Sequence, residues 1–286
     1  MSVRKKISLV GYASGLAGAS SGSGDGPLVL KESLLLKNDN LEWVGMVQPP
    51  QHLPASKFTL VSELCQELGK KVIKLAEQNQ FFTVLGGDHS CAIGTWSAVS
   101  SIKKPLGLIW VDAHMDSHTP QTSATGNIHG MPLASLLGYG DNNLTKMFHV
   151  EQKLKPENVC LIGIRSYEEG EAELLKRLNV RVFYMEEVHQ RGLAAVFADA
   201  VNIVTNGTVG YGISIDIDSM DPADAPGTGV AEPDGLSAQK LINSVRSLAQ
   251  DSRLIGAEIV EFDPHRDKDK RTEKIIAQLL GALAPE

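Results

Sequence analysis

The sequence predicts an α/β protein in which a parallel sheet is covered by helices on both faces. Three observations carry that prediction. Short apolar runs, almost unbroken by polar positions, alternate with longer amphipathic stretches; strands buried on two faces and joined by crossover helices read this way. The 286 residues are 42% hydrophobic and 21% charged, an ordinary globular balance that excludes disordered, collagenous and coiled-coil classes. Four of the apolar runs end in Asp, Glu or His, and ligands of open parallel sheets gather beyond the carboxyl ends of strands.

Taken in order, residues 7–11 form the first predicted strand. Basic residues precede it, but Gly11, Ser14 and Gly15 break the apolar stretch at once, so it reads as a strand and not as a secretory leader. The Gly/Ser-rich stretch 14–26 follows as a loop. A second strand over 41–46 leads to a long amphipathic helix over 58–78 and a third strand over 81–85. Asp88 is placed to cap a helix beginning near Ser90. After a fourth strand over 107–111, the region 114–127 is too polar for a regular element. Strands over 159–164 and 180–184 flank a helix over 168–178. A strand over 210–217, a helix over 237–249, a strand over 254–260 and a helix over 271–283 complete the chain. Asp221, before Pro222, reads as a turn residue, and the charged stretch 267–274 as a solvated face. No compositional break marks a linker, so one domain over 1–286 is expected.

The 27 Lys and Arg against 34 Asp and Glu leave a net charge of -7, which argues against nucleic acid or an anionic membrane as partner, since both require a basic face. No stretch approaches the roughly 18 apolar residues of a membrane helix. Cys65, Cys91 and Cys160 are scattered and form no CxxC pair; neither a disulfide framework nor a thiolate zinc site is expected, and a reducing, cytoplasmic location is.

The chemistry concentrates at three strand ends. Asp112, His114 and Asp116 are spaced i, i+2, i+4, which on an extended chain aims all three the same way. Asp216 and Asp218 repeat the spacing, and His89 follows a Gly86–Gly87 pair that allows a sharp turn. Four carboxylates and two imidazoles with no Lys or Arg in these motifs would repel one another unless cations intervened. Six such side chains can serve two cations roughly 3.5–4 Å apart if carboxylates bridge. Their oxygen-rich character favours Mn²⁺ over Zn²⁺. Any one of these short motifs alone fits a turn or helix cap equally well; their convergence at one sheet edge is what favours metal. His52, His149, His189 and His265 lie in polar segments without partner motifs and are assigned solvated or capping roles.

At this point the blocks GGDHS (86–90), DAHMDSHTP (112–120), GNIHGMP (126–132) and SIDIDSMDP (214–222) resemble, in order and spacing, the signatures of the ureohydrolase family, which includes arginases, agmatinases and related guanidino-acid hydrolases. GDGP (24–27), PGTG (226–229) and EFDP (261–264) are similar as well. The resemblance implies a three-layer α/β/α sandwich with a mostly parallel eight-stranded sheet and two manganese ions. One ion would be held by His89, Asp112, Asp116 and Asp216, the other by Asp112, His114, Asp216 and Asp218. It further implies that Asp116 orients the attacking water, that Glu261 pairs with the substrate guanidinium, and that His129 carries a proton to the leaving group.

The loop between Asp116 and His129 is most similar to that of arginases, which implies L-arginine as substrate and L-ornithine and urea as products. His118 stands where arginases commonly have Asn, Thr125 where they have Ser, and Glu168 where they have an Asp that reads the α-amino group. These three are therefore the expected substrate-binding residues, although a first-turn helix role suits Glu168 also. The alternatives are an agmatinase or other guanidino-acid hydrolase, a catalytically silent regulatory subunit of the same fold, and a binuclear phosphoesterase. The last has only Arg165 near a strand end to meet phosphate oxygens. The family commonly forms homotrimers or homohexamers, and a homo-oligomer is expected by the same resemblance.

Overall fold

The computed structural model describes residues 6–18, 20–51 and 56–284; His52 lies outside them. Eight strands, β1 (Ile7–Tyr12), β2 (Leu41–Val47), β3 (Phe82–Gly86), β4 (Leu106–Val111), β5 (Val159–Ile164), β6 (Arg181–Tyr184), β7 (Gly210–Asp216) and β8 (Leu254–Val260), form one sheet in the order β2-β1-β3-β8-β7-β4-β5-β6. Every pairing of these strands is parallel, so the sheet is more uniform than the mostly parallel one expected. The reason is visible in burial. β1, β3, β4, β5 and β7 are buried at every position, which requires cover on both faces. Only the edge strand β2 alternates exposed with half-buried residues over most of its length.

The cover is supplied by α1 (Gly26–Glu32), α2 (Lys57–Glu77), α3 (Cys91–Ile102), α4 (Pro132–Leu136), α5 (Asn142–Thr145), α6 (Glu169–Leu178), α7 (Met185–Arg191), α8 (Leu193–Val204), α9 (Ala238–Leu248) and α10 (Arg271–Leu283). Strand side chains divide by alternation into two cores. Leu106, Leu108 and Trp110 of β4 pack with α2 to α6, whereas Ile109 and Val111 pack with α1 and α7 to α10. The result is the three-layer sandwich.

Helix formation follows from local chemistry. In α2 the buried Leu60, Leu64, Leu68, Val72 and Leu75 recur at intervals of three or four, and the Ser56 hydroxyl accepts from the Thr59 N–H at 3.4 Å. The start of α10 departs from the solvated face expected over 267–274. Asp267 there accepts from the backbone N–H groups of Thr272 (2.9 Å) and Glu273 (3.0 Å), and Thr272 and Glu273 are themselves buried. A carboxylate meeting the free N–H groups of a first helical turn contributes about 1 kcal/mol, which a charge pattern alone does not reveal.

Candidate metal centre and active site

The four strands whose ends carry the predicted residues, β3, β8, β7 and β4, are adjacent at the middle of the sheet. Strand alternation is not what aims the side chains. β4 stops at Val111 and β7 at Asp216, and each chain then folds back through the same turn. The His114 N–H donates to Asp112 Oδ1 (2.7 Å), and the Asp218 N–H donates to Asp216 Oδ1 (2.9 Å). In each D-x-[H/D] pair the first aspartate thus uses Oδ1 to make an Asx turn and turns Oδ2 to the cluster, where Asp112 Oδ2 also accepts from Trp110 Nε1 at 2.9 Å. Asp116 adopts a left-handed backbone, φ 46°, held by Leu133, whose N–H donates to the Asp116 carbonyl at 2.9 Å.

Gly87 serves close approach rather than a sharp turn. A Cβ on it would lie 2.1 Å from the Ser14 carbonyl oxygen. The segment is threaded between β1 and β8, with Gly87 N–H donating to Tyr12 O and Glu261 N–H donating to Gly87 O, both at 2.7 Å. Asp88 accepts from the Ser90 N–H and also from the Ala17 N–H, each at 3.1 Å. The Ala17 carbonyl in turn receives the N–H groups of Ile128 (2.9 Å) and His129 (3.3 Å). The residue expected only to cap α3 therefore also anchors the loop that presents His129.

His89 lies at the centre. Its Nδ1 is 3.2 Å from Asp112 Oδ2, 3.0 Å from Asp116 Oδ2 and 3.1 Å from Asp216 Oδ2. It is fully buried and makes no aligned hydrogen bond with any of them. The other ring nitrogen, Nε2, is 2.8 Å from Ser214 Oγ, and the ring stacks on Trp110 with centroids 4.1 Å apart. A proton on Nε2 leaves the Nδ1 lone pair facing three carboxylate oxygens. Separations near 3.0 Å are those of neighbouring ligands around a cation with ~2.1 Å bonds, so the side chains fit a metal. A second group forms beside the first: His114 Nδ1 is 3.1 Å from Asp218 Oδ2 and 3.5 Å from Asp112 Oδ1. The sets His89–Asp112–Asp216 and Asp112–His114–Asp218 each gather three ligand atoms within 4.8 Å, with Asp112 common to both.

Electrostatics tell the same story. Burial, then the charges of Asp218 and Asp112, hold the Asp216 carboxyl well above its usual range. Burial and then Asp112 raise Asp116 to about 7. Burial disfavours charge on His89 and His114 too, but the surrounding carboxylates outweigh it and raise both. The cluster is short of positive charge, which suits it to binding cations.

Above the cluster opens a cavity of about 360 Å³ lined by Asp116, Asp216, Asp218, His114, His129 and Glu261, with His118, Thr125 and Glu168 further out. Every residue expected to catalyse or bind substrate lies on its wall; His89 and Asp112 are buried beneath. Glu261, at φ 62°, accepts from the His89 N–H (2.9 Å) and faces His129 Nδ1 (3.1 Å), both through Oε1. Burial opposes charge on His129, yet the Glu261 carboxylate outweighs it and holds the imidazole up at about 9. Non-glycine residues in left-handed conformations cost about 1–3 kcal/mol, and two of them, Asp116 and Glu261, sit in this one site.

His118 is set between Thr122 Oγ1 (3.1 Å from Nδ1) and Glu171 Oε2 (3.4 Å from Nε2), with Glu168 Oε2 3.6 Å away. Thr125 accepts from the Asn127 N–H at 3.2 Å. Glu168 is the residue before α6, its N–H donating to Glu171 Oε2 at 3.0 Å, so it occupies both the helix-start and the cavity position foreseen for it. His149 pairs with Ser100, and His265 with Asp25 at the surface.

Four contributors escaped the sequence reading. Ser214 orients His89. Glu258, fully buried, accepts from Trp96 Nε1 at 2.5 Å and is hydrogen-bonded to Ser214; a lone carboxylate inside an apolar strand was its available signal. Glu171 receives the Ser117 N–H (3.1 Å), and Glu232 lines the cavity. Arg165 does not offer a phosphate site. Its guanidinium donates to the carbonyls of Pro233, Gly163, Ser219, Asp218 and Glu232 at 2.7–3.2 Å, which occupies all its nitrogens.

A parallel sheet with a carboxylate–imidazole cluster under a cavity at its carboxyl edge defines an α/β protein with a candidate metal-binding site. The model of the Arginase family matches residues 5–284. An arginase of Brevibacillus brevis is 36% identical, covering 98% of each chain, and one of Bacillus caldovelox is 38% identical over 79% of this chain and 76% of its own. The crystal structure of arginase from Bacillus subtilis superimposes with a TM-score of 0.92 at 34% identity, covering 99% of both chains. The chain belongs to the arginase family, whose members are metal-dependent hydrolases. Among the described residues no helix is long and apolar enough to cross a membrane.

Proposed function

We propose that the protein hydrolyses L-arginine to L-ornithine and urea with two Mn²⁺ ions. The observation that carries this reading is the buried His89 Nδ1, without an aligned hydrogen bond and met by three carboxylate oxygens at 3.0–3.2 Å. His89, Asp112, Asp116 and Asp216 would hold one ion, and Asp112, His114, Asp216 and Asp218 the other. Bound there, a pair of divalent cations lowers the pKa of water into the neutral range and so supplies a nucleophile.

The remaining work falls to side chains. Glu261 uses Oε1 for His129 and His89, so its Oε2 is free to accept from a guanidinium, whose planar fork suits a carboxylate. Asp116, on the cavity wall beside His89, would accept the hydrogen bond of the attacking water and aim it at the guanidinium carbon. Addition gives a tetrahedral carbon. His129, whose protonated form the Glu261 carboxylate favours, would donate the proton that lets the amine depart. At the outer end, His118 and Thr125 are placed to meet an α-carboxylate and Glu168 an α-ammonium. The buried floor strengthens each of these interactions.

In this reading residues 1–286 are one functional unit, active in the cytoplasm as a homotrimer or homohexamer; light scattering tests the assembly. The activity is tested by urea release from the manganese-loaded protein offered L-arginine, agmatine and 4-guanidinobutyrate in parallel. Preference for L-arginine is expected. Preference for agmatine or 4-guanidinobutyrate would keep the hydrolytic site and overturn the substrate, and release from none would overturn the reaction.

A further inference from the structure

The cavity holds a carboxylate that the chemistry above does not use. Glu232 lies in the loop between β7 and α9 and lines the cavity. Its Oε1 accepts from the Ser166 hydroxyl at 3.1 Å and lies 3.6 Å from His114 Nε2, the latter too far for a hydrogen bond. The side chain is 28% exposed, and no Lys or Arg is among the residues that line the cavity with it.

Its position is fixed by the backbone. Arg165 Nη2 donates to the Glu232 carbonyl (2.8 Å) and to the Asp218 carbonyl (2.7 Å), while Nε donates to the Pro233 carbonyl (2.8 Å). One half-buried guanidinium therefore ties the Glu232 segment to that of Asp218. A carboxylate mounted this way is preorganised rather than freely solvated. Ser166, its hydroxyl donor, precedes Glu168 by two residues, and Ser166 and Glu168 also line the cavity. Glu168 and Glu232 thus both line the cavity, Glu232 in contact with Ser166, and Ser123, Thr125 and Asn127 bring hydroxyl and amide groups to the same cavity.

We propose that Glu232 is a specificity-determining residue that, with Glu168, takes the α-ammonium of the amino-acid substrate. The inference rests on the guanidino-amino-acid reading above. The α-nitrogen of such a substrate lies six bonds, roughly 7 Å, from its guanidinium carbon, and Glu232 sits one imidazole width beyond Asp218, on the far side of His114. An ammonium has three N–H donors; two carboxylates and the Ser166 hydroxyl oxygen match that number. A ligand lacking the ammonium forgoes these contacts and binds more weakly for that reason.

The test compares manganese-loaded wild type with Glu232→Gln by calorimetry, using L-ornithine and 5-aminopentanoate, which differ only in the α-amino group. Wild type is expected to bind L-ornithine at least roughly tenfold more tightly, and the variant to lose most of that ratio with metal content unchanged. An unchanged ratio would overturn the proposal. So would equal weakening of both ligands with loss of metal, which would make Glu232 a support for His114, and so would a wild type that does not distinguish the two. Urea release from L-arginine by the same wild-type sample reports separately on the substrate reading, so the two can fail independently.

Discussion

The two ring nitrogens of His89 are committed to different tasks by their neighbours, Nε2 to Ser214 and Nδ1 to three carboxylates. Asp216 is the carboxylate proposed to serve both ions, so Asp216→Ala is expected to lose metal and turnover together. A variant with two bound metals per chain and normal turnover, measured by elemental analysis and urea release, would remove it from the centre. His129 is a different case, because it touches Glu261 and no metal-facing carboxylate. His129→Asn is expected to keep its metal and slow by roughly 10²–10⁴-fold; an undiminished rate would take the residue out of proton transfer. At this scale the metal-facing residues were legible because carboxylates and imidazoles converge without a cation beside them. Glu258 and Glu232 were not, since one lies within an otherwise apolar strand and the other in a loop that long-range contacts such as those of Arg165 and Ser166 bring to the site.

Between residue and fold, one local device recurs after four strands. Asp88, Asp112, Asp216 and Asp263 each accept, through Oδ1, from the N–H two residues on. The D-x-[H/D] spacing was read as extended chain. The Asx turn achieves the same convergence by a different route, so the expected residues meet although the chain there is not extended. Strands were legible from their unbroken apolar runs. The short α4 and α5 were not, because four or five residues carry too little periodicity to see. Packing between helices depends on glycine in a way the pattern also hides. A Cβ on Gly94 of α3 would lie 2.4 Å from the Cys65 carbonyl of α2. Alanine there gains about 1 kcal/mol of helix propensity but meets backbone that cannot rotate aside, a cost of about 1–3 kcal/mol. Gly94→Ala is therefore expected to lower the denaturation midpoint; an equal or higher midpoint would show that α2 and α3 can separate without penalty.

Across the whole molecule, the strand order places β3, β8, β7 and β4 side by side, with β1 and β2 beyond one end and β5 and β6 beyond the other. The sheet was legible as parallel and two-faced, but its order was not, because nothing in a run of apolar residues says which run lies next to it. That order concentrates buried carboxylates in the middle of the fold, so the fold and the proposed metal pair should stabilise each other. Chelation is expected to lower the melting temperature by on the order of 5–10 °C, and added Mn²⁺ to restore it; a melting curve indifferent to chelator would mean the cluster is stable without a cation. The same order has a consequence for motion. A sheet frays from its margins, where backbone amides have a partner on one side only. Here the margins are β2 and β6, each separated from the four site-bearing strands by another strand. Amides at the rim can therefore exchange with solvent deuterium by local opening while the floor of the cavity stays shut, and the slowest-exchanging protons should lie in β7 and β8, at the middle of the sheet.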